Sequence, residues 1–148
     1  MLLPELQSLF QRDLNRLKQE IEQYKNEQTI WRIDRDIKNS AGNLTLHLIG
    51  NLNHFIGAQL GNTRYVRNRD LEFSLKDVPR SELISTIDET ATMIEKVLGH
   101  LPDAVLKEEY PVLVFDKKTS TQYLLVHLAT HLTYHLGQVN YHRRLLDF

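Results

Sequence analysis

The sequence predicts an all-α fold, a four-helix bundle that occupies residues 1–148 as a single domain. Three observations predict it. Apolar residues recur at steps of three and four in separate stretches, helix-starting and helix-stopping residues punctuate those stretches, and only one short run has strand-like composition. A chain of 148 residues can bury a hydrophobic core without disulfides or oligomerisation. Its 41% hydrophobic and 25% charged residues give the balance of a globular protein.

The first helix is expected over roughly residues 4–28, where Leu6, Phe10, Leu14, Leu17, Ile21 and Tyr24 share a face and Arg12, Asn15, Lys18, Glu20 and Glu22 lie between them. Pro4 is tolerated in its first turn, where the missing N–H has no helical partner to lose. A polar connection containing Trp31 follows, and Asn39 and Ser40 offer N-cap oxygens for a second helix over Ala41 to Leu60. That helix is the least polar and carries Gly42, Gly50 and Gly57, with Gly61 at its end. Each glycine weakens a helix by about 1 kcal/mol relative to alanine, so the group implies close approach of another backbone, within the bundle or across a dimer.

Residues 62–79 form a long polar connection with Arg64, Arg67, Arg69 and Asp70 in turn-like sequence, long enough to cross the bundle. A third helix starts near Pro79, carries Leu83, Ile87, Ala91, Ile94 and Leu98, and is bracketed by Gly99 and Pro102. Tyr110–Phe115 is the β-branched run, expected to lie extended over one end of the bundle. Thr119 followed by Gln122 fits a capping box for the last helix, which runs on through Leu124, Leu128, Leu132, Val139 and Leu146.

Charge and cysteine content narrow the functions. A formal net charge of −1 lacks the basic excess of a phosphate-gripping surface, so nucleic acid is not an expected partner. With no cysteine, disulfides, thiolate metal sites and a protein thiol nucleophile are excluded, and a metal would need nitrogen or oxygen ligands. The N-terminus has no basic n-region, Glu5 and Arg12 interrupt its apolar residues, and no long apolar run occurs. The expectation is a cytoplasmic protein with no membrane span.

Seven histidines are present, four of them in the last helix. At about 100° per residue, His127, His135, Gln138 and His142 all fall within about 40° of His131 on a helical wheel. A polar stripe of this kind cannot face an apolar core unpaired, because each unsatisfied buried group costs about 1–3 kcal/mol. Either the stripe faces solvent or a polar groove, or His131 and His135 converge on one ion with a third ligand from another helix. His47 and His54 are the candidates for that third ligand. His47 lies within the most apolar helix and is expected to point inward.

A histidine early in helix two, followed by His131-Leu132-Thr133-Tyr134-His135-Leu136-Gly137-Gln138 near the C-terminus, resembles the DinB superfamily. The stretches Lys38–Leu44 and Tyr65–Asp70 resemble an uncharacterised branch of it. The resemblance covers most of the chain. It implies a four-helix bundle of DinB/YfiT-like type with a long connection between helices two and three. It also implies a divalent metal, nickel or zinc, on His47, His131 and His135, and a homodimer. The superfamily is similar to bacillithiol- and mycothiol-dependent transferases, so a low-molecular-weight thiol is an implied cosubstrate.

Three neutral imidazoles leave a position open on a zinc-like ion, and their second nitrogens need acceptors, for which Gln138 or Asn51 could serve. The leading expectation is a metal-dependent enzyme, a thiol-dependent S-transferase or a hydrolase acting on a small molecule. His127 is the one candidate for proton transfer, and Arg64, Arg67 and Arg69 are candidates for gripping a substrate carboxylate. The alternatives are a non-catalytic metal-binding or stress-associated helical dimer, and a bundle with incidental histidines. His54 and His142 have no assigned role, and His100 is expected at a helix end.

Overall fold

The computed structural model describes residues 2–148, and among these four long helices and one short helix carry the fold. They are α1 (Leu2–Gln23), α2 (Ala41–Leu52), α3 (Arg69–Ser74), α4 (Arg80–His100) and α5 (Thr121–Leu146). A π-helical turn, Asn53–Ala58, and a closing turn, Gln59–Gly61, extend α2. Asn62, in the left-handed conformation at φ 51°, ends it.

Each of α1 and α2 packs between α4 and α5, so α1 and α2 lie diagonally opposite. Polar cross-links set the directions. Gln7 bonds Glu95 O, Gln11 bonds Ala91 O and Arg80 bonds Glu22 O, so α4 runs antiparallel to α1. Thr133 bonds Asp13 and Asn140 bonds Glu20, so α5 runs parallel to α1. The segment between α2 and α4 crosses the bundle, as its length predicts, and α3 within it lies on α2.

The core is drawn from the predicted stripes. Leu6, Phe10, Leu14, Leu17 and Ile21 of α1 meet Leu48, Leu52 and Ile56, then Leu83, Ile87 and Ile94, then Leu124, Leu128, Leu132 and Val139. Burying one such side chain stabilises the fold by about 1.5–3 kcal/mol, which gives these stripes the leading part in holding the bundle.

Four expectations are corrected. Helix one stops at Gln23 rather than near 28, because the N–H groups of Lys25 and Asn26 turn away to the Asp147 carboxylate. The connection holding Trp31 is not simply polar. It forms a 3-10 turn, Glu27–Trp31, that buries the indole. The last helix is capped by Ser120, whose Oγ accepts from Tyr123 N at 3.0 Å, so the cap falls one residue after Thr119 and, with tyrosine at the third helical position, is a simple N-cap rather than a capping box.

The fourth correction concerns the glycines. Side chains of this same chain, not a second backbone, fill the space beside them. A Cβ at Gly42 would lie 2.6 Å from the Trp31 ring, one at Gly50 would overlap the Glu72 carboxylate, and one at Gly61 would overlap Val97. The Tyr110–Phe115 run is not a strand. It leaves a single antiparallel bridge, Glu109 to Ser120, and its Val112, Val114 and Phe115 pack half-buried against the core.

Candidate metal centre

The crossing segment, α2 and α5 meet around three imidazoles. His47 is buried in α2, and His131 and His135, one turn apart on α5, are half-buried. His131 Nε2 stands 3.3 Å from His47 Nε2 and 3.1 Å from His135 Nε2, and one ligating nitrogen from each ring lies within 4.8 Å of the others. Two nitrogens on one tetrahedral zinc-like ion, bonded at about 2.0–2.1 Å, stand about 3.3 Å apart.

Hydrogen bonds fix which lone pairs face the centre. His47 Nδ1 meets Glu72 Oε1 at 3.0 Å, and a carboxylate only accepts, so Nδ1 carries the proton and Nε2 is free to ligate. His135 Nδ1 likewise donates to Gln138 Oε1 at 2.6 Å. Both free lone pairs are thus directed at His131 Nε2. One proton there satisfies only one of them, whereas a cation satisfies all three nitrogens. The donor set fits a divalent ion.

The partners divide as expected in one case and differently in the other. Gln138 serves His135. Asn51 serves neither histidine, and its buried Oδ1 has no hydrogen-bond partner. The partner of His47 is Glu72, which the sequence reading missed within residues 62–79. Its available signals were Asn68, which caps α3 by accepting from Leu71 N, and the physical need of a ligand histidine for a carboxylate or carbonyl acceptor.

Burial, with the other two triad rings next in effect, pushes His131 down to about 4. His47 is also lowered, burial outweighing the Glu72 bond that raises it. Both rings therefore stay neutral, the form that binds metal, below the ordinary imidazole range.

Of the remaining histidines, His54, His100 and His142 stand away from the centre and His127 lies beside it. His54 sits two turns beyond His47, about 10 Å along the axis, and packs against the Phe55 ring. His142 points nearly the same way as His131 on the wheel but lies about 16 Å further along α5. There it is sequestered, with Nδ1 accepting from Tyr24 Oη and Nε2 donating to Arg32 O, each at 2.7 Å. His127 is half-buried, stacked on His131 at 6.1 Å between ring centres, with the Phe115 ring at 4.9 Å. His100 bonds Lys96 O at the end of α4.

The three arginines separate too. Arg67 binds Glu72 through Nε at 2.8 Å and Nη2 at 3.0 Å, so its guanidinium already holds a carboxylate of its own chain. Arg69 stacks on Phe73, and Arg64 is exposed with φ 65°. A cleft of about 540 Å³ opens beside His135, walled by Lys38, Asn39, Leu44, Tyr134, Gln138 and Tyr141 among others.

The fold and this site define a helical-bundle protein with a three-histidine centre suited to a divalent cation. The chain matches the family described as "Protein of unknown function (DUF1572)" over residues 2–147, and it belongs to that family, which is grouped with the DinB-like proteins. No curated protein and no solved structure matches it.

Proposed function

We propose that the protein is a metal-dependent enzyme in which His47, His131 and His135 hold one divalent ion, nickel or zinc, and a small molecule binds in the adjoining cleft. The observation that carries this reading is the convergence of three Nε2 atoms, of which those of His47 and His135 are left free to ligate by the Nδ1 hydrogen bonds to Glu72 and Gln138. Bound there, such an ion supplies Lewis acidity at an open position, which suits activation of water or of a thiol. Because the chain has no cysteine, a thiol would come from a low-molecular-weight cosubstrate, making the reaction class an S-transfer or a hydrolysis.

The chain's own groups have separate tasks. Tyr134, Tyr141 and Leu44 give the cleft apolar walls beside His135, and Lys38 and Gln138 give it polar contacts. His127 would exchange a proton with a ligand at the centre, a role supported by its stacking on His131 beside Phe115. Arg67 is withdrawn from substrate binding by its ion pair with Glu72.

Elemental analysis of protein purified without a histidine tag tests the reading, comparing the natural sequence with His47→Ala and His131→Ala. The expected result is near-stoichiometric transition metal that both substitutions abolish, followed by thiol-transfer or hydrolytic turnover. Failure to take up nickel or zinc at mildly alkaline pH would remove the basis for a metalloenzyme.

The homodimer would use the outer face of α5, so that Tyr134 and Tyr141 would edge the cleft and meet the second copy at once. Tyr134 and Tyr141 are 66% and 61% exposed there, on either side of Gly137, whose missing Cβ would meet nothing within 4 Å. Light scattering on the natural protein and on Tyr141→Glu decides this, with a dimer converted to monomer as the expected outcome and an unchanged mass opposing it.

A further inference from the structure

We propose that Glu72 is a positioning residue of the metal centre, acting through His47, and that position 50 is glycine to make room for it. The inference rests on the metal reading above and deepens it.

Glu72 is only 6% exposed, an unusual position for a carboxylate. Its Oε1 accepts from His47 Nδ1 and from Arg67 Nη2, each at 3.0 Å, and its Oε2 accepts from Arg67 Nε at 2.8 Å. A buried ion pair of this sort is weak evidence for stability, because desolvation offsets the attraction.

A tethering role accounts poorly for the carboxylate. Arg67 lies five residues away on the same crossing segment, so that ion pair ties nothing to α2. Attachment of α3 to α2 is already provided by Asn43, whose Nδ2 donates to Glu72 O at 2.9 Å and to Leu75 O at 2.8 Å. What the side chain alone provides is a charged acceptor at His47 Nδ1. Arg67 holds both oxygens in the orientation that keeps one of them there.

Gly50 supplies the independent observation. It lies one turn after His47, on the same face of α2, and a Cβ there would overlap Oε2 and come within 2.6 Å of Cδ of Glu72. Any larger residue would push the carboxylate away from the imidazole. A glycine in the interior of a helix weakens it relative to alanine, and this approach is what that weakening secures. The carboxylate holds His47 in the Nδ1–H tautomer, orients its ring and makes Nε2 a stronger donor to a cation.

The test uses the full chain, with cobalt(II) as the metal probe. Affinity is read by competition with a chelator, the site by the visible cobalt spectrum, and the apo fold by thermal unfolding. Glu72→Gln keeps the size and an acceptor but removes the charge, and is expected to weaken cobalt binding about 10–100-fold and to shift the spectrum. Gly50→Ala, which keeps the charge but displaces it, should weaken binding to a similar degree. In a Glu72→Ala background the same Gly50→Ala change should add no further loss, because the clashing partner is gone.

If the natural protein binds cobalt and Glu72→Gln binds it equally well, with only the apo melting temperature lowered, Glu72 is a tether and the proposal is overturned. If the natural protein binds no cobalt, the metal reading itself fails. A measurement that needs no variant stands beside these. Nitrogen NMR of the apo protein should show His47 protonated at Nδ1 alone at neutral pH, and the opposite tautomer would overturn the assignment.

Discussion

At the scale of single residues, similar imidazoles have been given different work by what touches their second nitrogen. His47 and His135 have an acceptor at Nδ1 and present Nε2 to the centre, whereas His142 spends both nitrogens inside the bundle. His142→Phe would leave Tyr24 Oη and Arg32 O without their partner. The expected loss is about 1–3 kcal/mol in a urea titration, with metal content unchanged. A change in metal content would show that His142 communicates with the site. His131 sets a pH dependence. Its folded value, about 4, lies below the free value of about 6.5, so between the two the unfolded chain binds the extra proton more readily. Its contribution keeps the metal-free protein at full stability above that window and is lost as pH falls through it. Thermal midpoints of the metal-free protein across this range check the sign, and the slope should shrink in His131→Ala.

At the scale of elements, the decisive piece is the crossing segment rather than any of the four long helices. The connection from α2 to α4 must travel the length of the bundle, and on the way α3 delivers Glu72 to His47 while Phe73 packs against the same ring at 5.0 Å. The helix starts are equally specific. Ser120→Ala removes the oxygen that satisfies Tyr123 N and should cost about 1 kcal/mol, while Thr119→Ala should cost far less. Chemical denaturation of the two variants separates them, and equal losses would restore the capping box at Thr119. The α2 glycines belong to this scale as well, since Trp31 against Gly42 and Glu72 against Gly50 seat the 3-10 turn and α3 on one helix.

At the scale of the whole molecule, the candidate ligands come from two helices that meet only when the bundle is assembled. An ion on them therefore binds the folded state and stabilises it, by about 2.7 kcal/mol when its free concentration is a hundredfold above Kd. The core is built from the apolar stripes and does not include the triad, so chelation should lower the melting temperature while the helical circular dichroism is retained. Thermal scans with zinc and with chelator measure this, and His135→Ala should abolish the difference. An identical melting temperature in both conditions would show that no ion links α2 to α5. No described helix is long and apolar enough to cross a membrane.

What the sequence determined by itself was local and periodic. The stripes Leu6–Tyr24, Leu44–Ile56, Leu83–Leu98 and Leu124–Leu146 gave the helices and their buried faces, because a 3.6-residue repeat fixes which side chains share a face whatever the partner. His131 and His135 could be paired on the same ground, one turn apart on one helix, and His47 was legible as an inward histidine in an apolar helix. That His47 rather than His54 completes the group was supplied by the family resemblance, and the assembled helices bring those three rings together. Tertiary structure alone decided the rest. Whether Arg67 holds a substrate or Glu72, whether the α2 glycines face a backbone or a side chain, and where His142 goes all depend on contacts between residues remote in sequence. No periodicity encodes such contacts. Glu72 shows the reason most plainly: in sequence it is one more acid in a polar connection, and it acquires a role only because the crossing segment brings it over Gly50 against His47.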